Sequence, residues 1–266
     1  MQIAGKVAVV TGAGGDGCGR AIARRLAADG ASVAVSDIHE AGGRETVRLI
    51  EQSGGRAVFH RTDVRLEDQV RALIAFAEET FGAVGILVNN ASAPFRPGEP
   101  LEHWDDPVRT DLFGTLYATR CAIDALRRHG GGAIVNISSI SALWHGRKGG
   151  WPPYETAKAG VLRLTTMLGW LAEKENIRVN CLAPGWIASA QVRAFWEPLT
   201  PEQRAAYGAP SRLLQVDEVA AAVVRLAADD SLAGRILVWW SEDAPRLIPW
   251  ADPGYAALGE PEPLVP

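Results

Sequence analysis

Cysteine, lysine and tyrosine are all scarce in this chain of 266 residues. The three cysteines, Cys18, Cys121 and Cys181, lie far apart, form no CxxC pair and are odd in number, which excludes a disulfide framework. No grouping of His, Cys and carboxylates has ligand spacing, so no metal is expected. Such a chain suits a reducing cytoplasm. Long apolar runs are missing too, since none reaches the roughly 18 residues of a membrane span. The first strand, in Lys6-Val-Ala-Val-Val-Thr11, begins almost at once, so neither a signal peptide nor an anchor is expected. Basic runs that could follow a phosphate backbone are absent, and 31 acids against 27 Lys and Arg leave a net charge of −4. Nucleic acid and membrane are therefore not expected partners.

What is present is an alternation. Apolar runs at Val7–Val10, Ser32–Ser36, Ala57–His60, Ile86–Val88, Ala133–Ile137, Arg178–Leu182 and Ile236–Trp239 are nearly continuous, as in strands covered on both faces. Between them lie amphipathic stretches at Arg20–Asp29, Ala41–Ser53, Leu66–Phe81, Asp111–Arg128, Tyr154–Glu173 and Val216–Asp229. The pattern predicts a doubly wound α/β fold, a Rossmann-like seven-stranded parallel sheet in a three-layer α/β/α sandwich. No Gly/Ser/Pro linker divides residues 1–240, which read as one domain. Residues 241–266, with prolines at 245, 249, 253, 261, 263 and 266, cannot form another βα unit and should pack on the body or on a neighbouring subunit.

The first strand runs into Thr11-Gly-Ala-Gly-Gly-Asp-Gly-Cys-Gly19 and then a helix opening Arg-Ala-Ile-Ala. Strand, glycine loop and helix together form a place where backbone can approach a dinucleotide phosphate, with Gly12, Gly17 and Gly19 as the key positions. Asp37 ends the second strand, where a carboxylate accepts hydrogen bonds from an adenosine ribose and would repel a 2′-phosphate. With no Arg or Lys at its neighbours Ser36 and Ile38, NAD is favoured over NADP.

Thr11-Gly12 with its glycine loop, Asp63-Val64, Asn89-Asn-Ala91, Asn-Ile-Ser-Ser139, Tyr154-Glu-Thr-Ala-Lys158 and Pro184-Gly185 stand in the order found in short-chain dehydrogenases/reductases. The chain resembles that family over about residues 5 to 240. With four tyrosines and four lysines, a YxxxK pair arises by accident about 0.06 times in such a chain, so the pair counts as signal. The chemistry explains the residue types. Moving a hydride between an alcohol carbon and a nicotinamide leaves a proton on or off the substrate oxygen, and a side chain in reach must handle it. Tyrosine, with a reference pKa of about 10, needs help, and an ammonium one helical turn away favours its phenolate. The resemblance implies Tyr154 as general acid/base, Lys158 as its tuner and ribose ligand, and Ser139 as polariser of the substrate oxygen. Spacing to the tyrosine points instead to Ser141, so both serines remain candidates. The resemblance further implies that Asp63 and Val64 meet the adenine and that Asn89 and Ala91 pass beside the adenosine side of the cofactor. Pro184, Gly185 and Ile187 would meet the carboxamide, with Ser189 in place of a usual threonine.

Four departures from the family pattern stand out. The glycine loop is one residue longer than TGxxxGxG, which predicts a bulge at Gly14-Gly15-Asp16. Asp111 occupies the place of a catalytic asparagine, and its carboxylate must be paired or protonated if buried. Activity is expected to survive with an altered pH profile. Ser92 replaces the glycine of NNAG. After Gly234 the chain reads Arg-Ile-Leu-Val-Trp239-Trp-Ser-Glu-Asp-Ala-Pro rather than toward Val-Asp-Gly-Gly, so an end that often joins subunits in relatives is rebuilt. A homo-oligomer, dimer or tetramer, is expected.

Nine tryptophans is a high count, and Trp144, Trp151, Trp186 and Trp196, with Phe95 and Phe195, fall where the family has its pocket rim and lid. Such walls suit an apolar or aromatic carbonyl compound as small-molecule substrate. His145, Arg147 and Lys148 could meet an anionic group but read better as a solvated face. The expected reaction interconverts a secondary alcohol and a ketone. Alternatives are a non-catalytic NAD-binding sensor or structural protein on the same fold, or reduction of C=N or of an acyl-carrier ketone.

Overall fold

A computed structural model describes residues 1–94, 96, 100–143 and 150–249 of the chain. Every apolar run becomes a parallel strand: β1 (Val7–Thr11), β2 (Ser32–Asp37), β3 (Arg56–Arg61), β4 (Val84–Asn89), β5 (Gly132–Ile137), β6 (Ile177–Pro184) and β7 (Ile236–Trp239). The expectation of seven strands is one short. A two-residue strand, β8 (Arg246–Leu247), pairs antiparallel with β7 and extends the sheet to β3-β2-β1-β4-β5-β6-β7-β8. Pro245 and Pro249 bracket it, which suits a very short edge strand with little unpaired backbone. Residues 241–249 thus dock on the sheet, and Ser241 is buried.

Side chains alternate between the two faces of each strand. Ala8 and Val10 of β1 join a core with Ile22 and Leu26 of α1 (Cys18–Ala28), Ile50 of α2 (Glu40–Gln52) and, far along the chain, Val219 and Val223. Val7 and Val9 face the other way, toward Val70 and Leu73 of α3 (Glu67–Phe81). A short turn, α4 (Asp105–Pro107), leads through a π-helical segment, Val108–Phe113, into α5 (Gly114–Arg128), which packs on the α3 side. The π turn is where a regular helix from Asp111 was expected. Such turns often mark functional sites, because the extra residue turns a side chain inward.

On the same face lies α6 (Pro152–Met167), opened by two prolines where the first turn tolerates them. The single helix expected over Tyr154–Glu173 is interrupted, and α7 (Leu171–Glu175) follows separately. Gly169 sits in the break, where a Cβ would stand 3.2 Å from the Gly234 Cα. Two small helices, α8 (Ala190–Trp196) and α9 (Pro201–Ala206), stand beyond the end of β6, and α10 (Val216–Ala228) returns to pack beside α1. Strand order reverses between β1 and β4, so a crevice opens at their carboxyl ends, the usual ligand position in an open α/β sheet.

Candidate active site

The glycine loop fills one side of that crevice. Gly12 has φ +66°, and a Cβ there would lie 2.5 Å from the Ala91 Cα. At Gly19 a Cβ would stand 2.1 Å from the Gly12 carbonyl oxygen. The fold itself demands both glycines. Gly17 differs: a Cβ on it meets nothing within 4 Å, although it stands at the N-cap of α1. Open space at the positive end of a helix, with backbone N–H groups turned outward, is what a diphosphate requires, so the residues present fit a dinucleotide. The expected bulge is found as a bend through 14–17, braced from three sides. Asp37 accepts a hydrogen bond from the Gly14 N–H at 2.7 Å and another from the His39 N–H at 2.8 Å. Arg20 donates to the Gly14 and Gly42 carbonyls and to Thr46, whose own hydroxyl donates to the Ala13 carbonyl at 2.7 Å. Just past β4 the Asn90 amide donates to the Gly12 carbonyl at 2.8 Å, while the Thr11 hydroxyl accepts from the Asn90 and Ala91 N–H groups.

Across the crevice, α6 presents Tyr154 and Lys158 one turn apart, with the Lys158 Nζ 5.5 Å from the centre of the Tyr154 ring. Lys158 lies on the stripe that Ala157, Val161, Leu162 and Thr165 bury, so periodicity drives its stem inward. Its ammonium donates to the Ile137 carbonyl at 3.1 Å and meets the Asp111 carboxylate at 2.8 Å. Burial pushes the ammonium down, but the Asp111 charge and then Tyr154 outweigh it, and Lys158 stands above the ordinary lysine value. Tyr154 keeps part of its surface open, yet the protein around its phenol raises its pKa above that of free tyrosine. Lys158 pulls the other way, Asp111 adds to the rise, and a hydrogen bond with Ser139 opposes it. The pull of the ammonium toward the phenolate is present as expected, but burial outweighs it and Asp111 opposes it, so the phenol stands above the ordinary tyrosine value. Ser139 is the serine beside the phenol. Ser141 sits behind it, its Oγ donating to Ser139 Oγ at 3.0 Å.

The other expected positions distribute as follows. Asp63 is held by Arg65 at 2.7 Å, a hydrogen bond that lowers its pKa. Val64 is buried under Gly114, where a Cβ would come 2.7 Å from a Val64 methyl. Asn89 is also buried, its amide donating to Thr119 and to Asn136, which in turn donates to Thr165. β6 ends at Pro184, and the Gly185 N–H donates to the Trp239 carbonyl. Ile187 forms an isolated bridge with Leu214, and Ser189 caps α8 by accepting from the Val192 N–H. Trp151 is buried and stacks on Tyr154, ring centres 6.2 Å apart at 12°. Trp186, Phe195 and Tyr207 form an aromatic row beyond Pro184, and Trp196 carries Arg204 on its face. Phe95, Trp144, His145, Arg147 and Lys148 lie outside the described residues. A cavity of 570 Å³ along the outer side of α1 touches Gly17, but none of Ser139, Tyr154 and Lys158 lines it, so it is not where they act.

Residues 6–199 match the family model of the short chain dehydrogenases. The chain belongs to that family. Among curated relatives of this short chain dehydrogenase, the cis-4-hydroxycyclohexanecarboxylate dehydrogenase of Sinomonas cyclohexanicum is 38% identical over 232 residues, 84% of this chain and 90% of that protein. The 3beta-hydroxysteroid dehydrogenase 1 of Eggerthella lenta is 37% identical over 247 residues, 86% of this chain and 89% of that one. A solved 7 alpha-hydroxysteroid dehydrogenase, complexed with NADH and 7-oxo glycochenodeoxycholic acid, superposes with a TM-score of 0.80 at 31% identity, covering 90% of this chain and 94% of that one.

Sequence reasoning about this short chain dehydrogenase missed the braces. Of the two asparagines in Asn89-Asn90, the second reaches the glycine loop, a choice that strand alternation after β4 could have indicated. Arg20 and Thr46 carried no signal, being ordinary polar residues on two helices. Ser92, which the family pattern marks only as a replacement for glycine, donates its hydroxyl to Asp111 at 2.6 Å. Among the described residues, no helix is long and apolar enough to cross a membrane.

Proposed function

We propose that this short chain dehydrogenase interconverts a secondary alcohol and a ketone with NAD(H), using Tyr154 as general acid/base. The observation that supports this best is the meeting of Ser139, Tyr154 and a buried Lys158 opposite the open glycine cradle. When bound, the nicotinamide supplies or accepts the hydride. Gly12, Gly17 and Gly19 shape the phosphate cradle, and Asp37 stands at the adenosine end where its charge disfavours a 2′-phosphate. Asp63, Val64, Asn89 and Ala91 border the adenosine side, and Pro184, Gly185, Ile187 and Ser189 border the nicotinamide side. Lys158, with one N–H beyond those given to Asp111 and Ile137, reaches toward the ribose. Ser139 donates to the substrate oxygen as charge develops there.

The raised Tyr154 pKa keeps the phenol protonated at neutral pH, so the resting site is set to give a proton to a carbonyl. Alcohol oxidation needs the phenolate and gains as pH rises. The aromatic row of Trp186, Phe195 and Tyr207 supports an apolar substrate, and the ring-shaped substrates in the names of the cyclohexane and steroid relatives favour an alicyclic alcohol. Residues 1–240 work as one catalytic unit in a cytoplasmic homo-oligomer, with exposed Met167 and Trp170 as the apolar surface available for assembly.

A panel of alicyclic and aromatic ketones and alcohols with NADH or NAD⁺, read by NADH absorbance, tests the reading. The parent protein should turn over at least one ring ketone, Ser139→Ala should lose most of that rate, and Ser141→Ala should lose less. NADH binding with no reaction across the panel would favour a sensor. The opposite order of the two serines would move the polariser to Ser141.

A further inference from the structure

Two departures from the family pattern meet in one place. The Asp111 carboxylate is fully buried and takes three donors, Lys158 Nζ at 2.8 Å and Ser92 Oγ at 2.6 Å on Oδ1, and the Ala93 N–H at 2.9 Å on Oδ2. Its backbone carbonyl is engaged separately by the Thr115 hydroxyl at 2.8 Å. An asparagine could not take this place unchanged. Its single oxygen would serve one side, and its NH₂ would face either the Ala93 N–H or the ammonium, donor against donor. A glycine at position 92 would remove the hydroxyl donor. Ser92 is itself exposed, on the segment that leaves β4 beside the glycine loop, so the carboxylate joins that segment to the lysine of α6.

We propose that Ser92 and Asp111 form a single positioning unit, a carboxylate anchored by the segment after β4 that fixes Lys158 beneath Tyr154. The unit does not touch the reacting atoms; it acts through Lys158. The inference rests on the proposed roles of Tyr154 and Lys158. It gives the two unusual residues one cause, since each supplies what the other requires. The carboxylate also adds to the rise of the Tyr154 phenol, behind burial, which is the main cause, and against the pull of Lys158. The other charged or titratable groups around the pair are Glu155 on α6 beside Tyr154, and Cys181 on β6 near Lys158, whose thiol burial pushes up to about 12, so it stays uncharged.

The test is a cycle of Ser92→Gly, Asp111→Asn and the double variant, which restores the family's usual pair. Tyr154 is titrated in the ligand-free protein through near-ultraviolet tyrosinate absorption, isolated by subtracting the titration of Tyr154→Phe. NADH affinity is read by quenching of protein fluorescence, and each variant's melting temperature is recorded. Asp111→Asn should lower the Tyr154 midpoint by about one unit or more, the effect of removing a nearby buried like charge. Ser92→Gly should weaken NADH binding about tenfold in the parent and hardly at all in the Asp111→Asn background, the mark of two residues in one network. If Asp111→Asn alone melts too low to titrate, the double variant takes its place. An unmoved midpoint, or two NADH factors that simply multiply, would overturn the inference. A Tyr154→Phe protein that still reduces ketones would instead overturn the roles on which it rests.

Discussion

Replacing Lys158 by methionine keeps the stem that packs among Ala157, Val161 and Leu162 and removes only the ammonium. Asp111 then stays buried with Ser92 and Ala93 as donors but no counter-charge, and the Ile137 carbonyl loses its partner. Breaking a buried pair from one side costs about 3–5 kcal/mol, because the remaining charge is stranded in a low dielectric. Against a typical domain stability of about 5–15 kcal/mol this is a large fraction. With a urea slope near 3 kcal/mol/M, the unfolding midpoint should fall by roughly 1 to 2 M. Adding Asp111→Asn to Lys158→Met removes the stranded charge and should return about 2 kcal/mol, so the double variant outlasts the single one. Urea unfolding followed by far-ultraviolet circular dichroism, without nucleotide, measures both. A Lys158→Met protein within about 1 kcal/mol of the parent, or a double variant less stable than Lys158→Met, would refute the claim that the pair is buried and mutually dependent.

Gly17→Ala should leave stability within about 1 kcal/mol of the parent, the usual scale of an N-cap change, yet weaken NADH strongly, since the added methyl enters only the space of the cradle. Gly19→Ala, whose Cβ would press on the Gly12 carbonyl and Asn90, should lower stability by about 1–3 kcal/mol as well, and paired melting and fluorescence titrations separate the two cases. Asp37→Ala removes two hydrogen bonds to backbone N–H groups and the charge that faces a 2′-phosphate, so the NADH-to-NADPH affinity ratio should fall by about tenfold or more. In the ligand-free protein the Tyr154 phenol should titrate above free tyrosine. Saturating NAD⁺ should bring it down, because a positive ring is added to a site where burial is the main opposing cause, and tyrosinate absorption at each pH reads the change.

The sheet was legible because strands covered on both faces must be apolar throughout, and each such run became a strand. Their ends were less so, since register with neighbours decides them: β6 gains Ala183 and Pro184 by pairing with β7. β8 was hidden because a two-residue strand in the three-residue gap between Pro245 and Pro249 carries no period. The π turn at Val108–Phe113 was equally hidden, since it depends on packing against α6, where Gly160 lets Leu112 approach to within 2.8 Å of a Cβ position. In the site, Tyr154, Lys158 and Ser139 came from motif and helical spacing, which are local. The braces of the glycine loop and the Ser92–Asp111–Lys158 contact join distant segments through ordinary polar residues, and no pattern along one chain announces that. The rise of the phenol was hidden for a related reason: burial, its main cause, comes from the packed fold, and the carboxylate that adds to it enters from another element.

The central claim is proton transfer by Tyr154 in an NAD(H) reaction, and the most direct measurement compares the parent with Tyr154→Phe, each preloaded with NADH and mixed with a reactive ring ketone. The phenylalanine variant should bind NADH nearly as the parent does and oxidise it about 10²–10⁴ times more slowly, the usual worth of a positioned acid. Turnover by Tyr154→Phe within tenfold of the parent would contradict the account.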